Sequence, residues 1–131
     1  MSCAAALKNI EIMERENLFE HVQDVGQYFE QQLQTLNDLE IVGEVRGISL
    51  MQCVEFVANK ESREVFPEDL DISKIISNIA DKKGLLVRPI INLNVMSPPL
   101  VITREQIDFA VSTLRESIVE ATDQLRQGGH L

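Results

Sequence analysis

Residues 84–99 read Gly84-Leu85-Leu86-Val87-Arg88-Pro89-Ile90-Ile91-Asn92-Leu93-Asn94-Val95-Met96-Ser97-Pro98-Pro99. Two short strands are predicted in this stretch, over 85–90 and 94–97. Asn92 and Asn94 are the candidates for the turn between them, because asparagine tolerates a positive φ. Pro98-Pro99 ends the pairing, since neither residue can donate to a ladder. Just upstream, Ile72, Ile75, Ile76, Ile79 and Ala80 mark a helix. Lys82 and Lys83 suit its last turn through the helix dipole, and Gly84 suits the C′ stop. Just downstream, Thr103 with Gln106 forms a capping box. Ile107, Ala110, Val111, Leu114, Ile118, Ala121 and Leu125 then line one face of a helix that runs to about residue 126. Residues 127–129 fray into a tail.

Working back to the N-terminus, residues 2–16 carry Leu7, Ile10 and Met13 at helical spacing, with Ser2 as a possible cap. A helix opening at residue 2 suggests a chain cut or restarted inside a longer design. Over 18–36, Leu18, Val22, Val25, Phe29, Leu33 and Leu36 form one apolar stripe, with Asn17 and Glu20 as a capping-box variant. Strands are predicted over 41–46 and 48–57, separated near Gly47. Residues 59–69 are polar, hold Pro67 and read as a connector. The order is therefore helix, helix, strand, strand, helix, strand, strand, helix. It predicts a two-layer α+β fold with a small, mostly antiparallel sheet covered by amphipathic helices, as a single domain over 1–131.

Composition sets limits on partners. The chain has 131 residues, 44% apolar and 25% charged, values ordinary for a globular protein. Its net charge of −9 disfavours nucleic acid and anionic membranes alike. No apolar run approaches the roughly 18 residues of a spanning helix, and no basic-then-apolar leader opens the chain. Cys3 and Cys53 stand far apart and outside any C-x-x-C pair, and are expected as small buried thiols of a cytoplasmic protein, with a disulfide between them left open. His21 and His130 are too few for a metal site.

Three ordered stretches resemble the C-terminal small domain of class III aminotransferases, enzymes dependent on pyridoxal phosphate (PLP). The first is Ser2-Cys3-Ala4-Ala5-Ala6-Leu7, followed by Ile12-Met13-Glu14-Arg15-Glu16-Asn17-Leu18. The second is Val42-Gly43-Glu44-Val45-Arg46-Gly47-Ile48-Ser49-Leu50-Met51. The third is Gly84-Leu85-Leu86-Val87-Arg88-Pro89, continued by Ser97-Pro98-Pro99-Leu100-Val101-Ile102-Thr103 and the helix opening Arg104-Glu105-Gln106-Ile107-Asp108. The likeness covers about residues 2–126, and is to the branch holding ω-transaminases and diamine or 4-aminobutyrate aminotransferases.

The resemblance implies amino-group transfer through PLP in the parent protein, whose large domain supplies the Schiff-base lysine. Lys8, Lys60, Lys74, Lys82 and Lys83 all lie in contexts unlike that lysine's, so no cofactor is expected in this chain and the chain alone is expected to be inactive. The resemblance also implies that Arg88 binds the substrate carboxylate. The chemistry fits, because a guanidinium presents a planar fork and stays charged at any working pH. Arg46 is assigned a structural role, tying backbone carbonyls and acids between two strands. Gly47 is expected to permit a turn or bulge. Ser97, Pro98 and Pro99 are expected to fix the backbone beside Arg88. Relatives carry glycine shortly after the Arg-Pro, where this chain has Ile90-Ile91, so a different local turn is expected.

The expected partners are an aminotransferase large domain or a second copy, as a dimer, because helix 1 and the strand faces would otherwise stay exposed. A carboxylate-bearing small molecule is the expected ligand. The alternative is a stand-alone, non-catalytic binding or assembly module descended from such a domain. Accidental similarity would show itself in a foreign sheet order.

Overall fold

The computed structural model describes residues 2–131. Helices α1 (Ser2–Arg15) and α2 (Leu18–Gln34) lead into strands β1 (Val42–Ile48) and β2 (Met51–Phe56). Helix α3 (Ile72–Lys82), strands β3 (Arg88–Ile90) and β4 (Leu93–Met96), and helix α4 (Arg104–Gln127) follow. The four strands form one antiparallel sheet in the order β1-β2-β4-β3. The fold is α+β.

Alternation along the strands decides which face is covered. On β2, Gln52, Val54 and Phe56 are buried while Met51 is exposed, and on β4 Asn94 and Met96 are buried. Side chains of period two put these residues on one face. That face meets α2, α3 and α4, which contribute Phe29 and Leu33, Ile72 and Ile76, and Ile107, Leu114 and Ile118 to the core. Each such side chain stabilises the fold by roughly 1.5–3 kcal/mol through burial. The opposite sheet face is open. Helix α1 buries none of its residues, and Leu7 and Ile10 are 70% and 52% exposed.

Several local expectations are corrected. Helix α2 stops at Gln34, and Leu36 reaches the core from a 3₁₀ turn over Thr35–Asp38. The break between β1 and β2 is not at Gly47, which lies inside β1; the chain turns at Ser49 and Leu50, with Ser49 at φ 53°. The irregularity in the pairing falls between Val42 and Glu44. Gly47 is needed for space, because a Cβ there would overlap the Met51 carbonyl and lie 2.7 Å from Gln52 Cα. Asn17 does not cap α2. It adopts the left-handed region at φ 50°, and its side-chain amide donates to the Glu20 carboxylate at 2.5 Å. Ser2 is already inside α1. Cys3 is exposed rather than buried, and both cysteines are free thiols.

The hairpin that carries Arg88 also differs. Residues 85–87 stay outside the sheet because α3 claims them. Leu85 N–H donates to Ala80 O at 2.9 Å, and Ser77 Oγ donates to Val87 O at 3.1 Å. Strand β3 therefore starts only at Arg88. The residue with positive φ in the turn is Ile91, at 53°, and neither asparagine takes that role. Asn94 instead points inward from β4, fully buried, with no protein partner for either amide atom. The turn is thus of the kind glycine favours, with a β-branched residue in it. The capping box at Thr103 is formed, with Gln106 N–H donating to Thr103 Oγ1 at 3.3 Å and Thr103 N–H donating to Gln106 Oε1 at 3.0 Å.

Candidate functional site

Register across the sheet places the two arginines of interest. Arg46 stands opposite Cys53, Cys53 opposite Val95, and Val95 opposite Arg88. Residues directly opposite one another share a face. The two guanidinium side chains therefore rise from one row of the open face, three strand spacings or about 14 Å apart.

Their surroundings differ sharply. Arg46 Nη1 donates to Glu44 Oε2 at 2.9 Å and also to the Glu55 carboxylate. The Glu55 hydrogen bond raises the Arg46 pKa above its ordinary value. Arg46 thus ties acids across β1 and β2; among the described residues no backbone carbonyl accepts from it. Arg15, Arg104, Arg115 and Arg126 are likewise in ion pairs. Arg88 is exposed, and among the described residues no carboxylate pairs with it. Burial pushes the Cys53 thiol up, with Arg46 opposing the shift.

Arg88 lines a cleft of about 880 Å³, at the end of the sheet where β3 and β4 meet α2 and α4. Ser97, Pro98 and Pro99 line the same cleft, so the structure brings them together with Arg88. Arg46 and Gly47 do not reach it. They border a second groove of about 340 Å³ across β1, β2 and β4, which shares Val95, Met96 and Ser97 with the cleft. The cleft wall is apolar apart from Arg88, Ser97, Thr103 and Gln106. A volume of this size and a single free cation suit a small molecule with one anionic group. Among the described residues no group of three His, Cys, Asp or Glu side chains could hold a metal.

Phe29, Gln106 and Phe109 also line the cleft and were not expected at a site from the sequence, Gln106 having been read only as a capping residue. Phe29 was assigned to the α2 core stripe, which it also serves. Phe109 carried a usable signal, being a large aromatic off the apolar stripe of α4, and it is 52% exposed. Its position beside Ala110 puts it over the cleft rather than in the core.

Comparison with known proteins agrees with this architecture. The family model described as aminotransferase class-III matches residues 1–118. The adenosylmethionine-8-amino-7-oxononanoate aminotransferase of Anoxybacillus flavithermus is 36% identical over 124 residues, covering 95% of this chain and 27% of the relative. A probable gamma-aminobutyrate transaminase of Oryza sativa subsp. japonica is 38% identical over 125 residues, covering 95% and 26% respectively. Among solved structures, the adenosylmethionine-8-amino-7-oxononanoate aminotransferase of Methanocaldococcus jannaschii superposes with a TM-score of 0.87 at 37% identity, covering 90% of this chain and 27% of that one. An ω-transferase of Vibrio fluvialis gives 0.91 at 31% identity, covering 95% and 30%. The chain thus spans about a quarter of the length of the relatives it matches. With the family's model matching nine-tenths of its residues and the same fold in solved members, this chain belongs to the class-III aminotransferases.

Proposed function

We propose that this chain works as one domain, the C-terminal small domain of a PLP-dependent amino-group transferase, and that Arg88 holds the substrate carboxylate. The observation that carries the reading is the guanidinium of Arg88, free of acidic partners and lining an apolar cleft. A carboxylate accepts two parallel N–H bonds from such a fork, and among the described residues no acid competes for it. Ser97, Pro98 and Pro99 hold the adjoining wall, and proline lowers the freedom of that segment.

The residues present do not make a cofactor site by themselves. The cleft contains no lysine. Lys60 is held by the Asn37 carbonyl, Lys83 by Glu116 and Glu120, and Lys8 by Glu11. PLP, when bound, would supply an electron sink for chemistry at the amino carbon. In this reading its lysine comes from a large domain, and the isolated chain transfers no amino group. The uncovered α1 and the open sheet face are the surfaces for that domain or for a second copy in a dimer. The free thiols of Cys3 and Cys53 suit a reducing compartment such as the cytoplasm.

The absence of a lysine from the cleft also favours a second reading, a non-catalytic module that binds carboxylates or assembles with a full-length aminotransferase. Calorimetry with pyruvate against the chain and its Arg88→Ala variant tests what both readings share. Heat in the parent and none in the variant supports the carboxylate site; equal heats remove it. Joining the chain to a class III large domain separates the readings. PLP absorbance with transfer from an amine to pyruvate supports the first, and its lack leaves the module.

A further inference from the structure

Ser97, Pro98, Pro99, Val101, Ile102 and Thr103 line one stretch of the cleft, a segment with few backbone bonds of its own. Pro98 and Pro99 carry no N–H. Ile102 N–H donates to Pro99 O at 3.0 Å, closing one turn, and Thr103 N–H is taken by the Gln106 side chain. Among the described residues the Ile102 carbonyl has no backbone partner. It receives the half-buried imidazole of His21, whose Nε2 lies 3.0 Å away, from the first turn of α2.

His21 begins a polar seam. His21, Asp24 and Tyr28 recur at i, i+3 and i+7 and so share one face of α2. Asp24 accepts from Arg104 Nη2 at 2.8 Å, and Tyr28 Oη donates to Asp108 at 2.6 Å. The Arg104 guanidinium stacks over the Tyr28 ring at 4.8 Å. The seam thus meets the chain at residues 102, 104 and 108 in order. Asp24 and Arg104 are 62% and 52% exposed, so solvent screens that pair and it fixes position weakly. The His21 contact is less exposed and grips the wall segment itself, one residue from Val101 and Thr103 in the cleft.

We infer that His21 is a positioning residue for the ligand cleft, setting where residues 101–103 stand relative to Arg88 without touching the ligand. This rests on the carboxylate reading of Arg88 for its function, but not for its structural half. For the Ile102 bond the imidazole must carry its proton on Nε2, and a glutamine side-chain amide can donate in its place.

The experiment compares the full chain with His21→Leu and His21→Gln by amide hydrogen exchange and by pyruvate titration. In His21→Leu the turn closed by Ile102 N–H on Pro99 O loses the anchor on its Ile102 carbonyl, so exchange at the Ile102 N–H is expected to speed at least ten-fold, while core amides such as Val54 and Leu114 keep their protection. Pyruvate affinity is expected to fall several-fold, and His21→Gln is expected to restore both. Unchanged exchange at Ile102 in His21→Leu overturns the inference. So does faster exchange there with unchanged pyruvate affinity. Should general unfolding mask the leucine variant, the glutamine variant still decides, because loss of Ile102 protection in a stable His21→Gln chain contradicts donor rescue. A parent that binds pyruvate no better than Arg88→Ala defeats the carboxylate reading instead, and exchange at Ile102 alone then decides the role of His21.

Discussion

Gly47→Ala is the substitution for which the structure gives the sharpest expectation. The added Cβ would overlap the Met51 carbonyl and come within 2.7 Å of both Gln52 Cα and Gln52 Oε1. The Oε1 contact could relax by a rotamer change, but the other two atoms are backbone of the paired strand. Gly47 stands opposite Gln52, and Ile48 opposite Met51, at the closed end of the β1–β2 hairpin. Relief therefore requires the strands to part there. Losing about two ladder hydrogen bonds costs roughly 2 kcal/mol. Residual overpacking against Gln52 adds on the order of 1 kcal/mol. A total near 3 kcal/mol corresponds to a fall in Tm of roughly 10 °C for a chain of this size. Gly84→Ala is the internal comparison. It has positive φ, 88°, but open space, with Phe109 Cζ at 3.9 Å, so only the backbone term of about 1 kcal/mol applies. Thermal unfolding followed by far-ultraviolet circular dichroism reads both. A Gly47→Ala chain that melts within 2 °C of the parent, or above Gly84→Ala, refutes the reasoning.

Thr103→Ala removes a formed capping box and is expected to cost about 1 kcal/mol, seen as a lower urea midpoint with unchanged m-value. Cys3 is expected to alkylate with iodoacetamide well before Cys53 at neutral pH, since Cys3 is exposed while burial raises the Cys53 thiol; equal rates by mass spectrometry would contradict the strand placement. The hydrogen bond from Arg115 holds Asp38 below its usual 3.8, so its contribution is present above that value and lost as pH falls through the lower folded value. Arg115→Gln is therefore expected to melt below the parent at neutral pH and to converge with it in acid, and a gap persisting at pH 2 would show that the pair is not its source.

Much of this arrangement was legible from residue pattern. Helix α4 was readable because its apolar residues from Ile107 to Leu125 keep one period and Thr103-x-x-Gln106 marks the start. The order of elements followed from turn residues and periodicity, and it fits the observed sheet. The misreadings share a cause in tertiary structure. Leu85-Leu86-Val87 has the composition of a strand, but hydrogen bonds from α3 hold its ends, which no local pattern records. A left-handed isoleucine contradicts intrinsic preference, so Ile91 was invisible while Asn92 was the reasonable choice. Gly47 was expected to permit a turn or bulge and instead lies inside β1, because sequence does not reveal which backbone approaches it.

At the site, Arg88 and the Ser97-Pro98-Pro99 segment were legible because they flank one hairpin. Phe29, Gln106 and Phe109 converge on them from two helices distant in sequence, and His21 reaches Ile102 across 81 positions. Such convergence belongs to packing rather than to any local motif.

The most direct test of the central claim is a titration of pyruvate into the ¹⁵N-arginine-labelled chain, following the side-chain Nε–H signals. The Arg88 signal is expected to move saturably while that of Arg46, engaged by Glu44 and Glu55, stays in place. Movement at Arg46 with Arg88 silent, or no saturable response at Arg88, would contradict it.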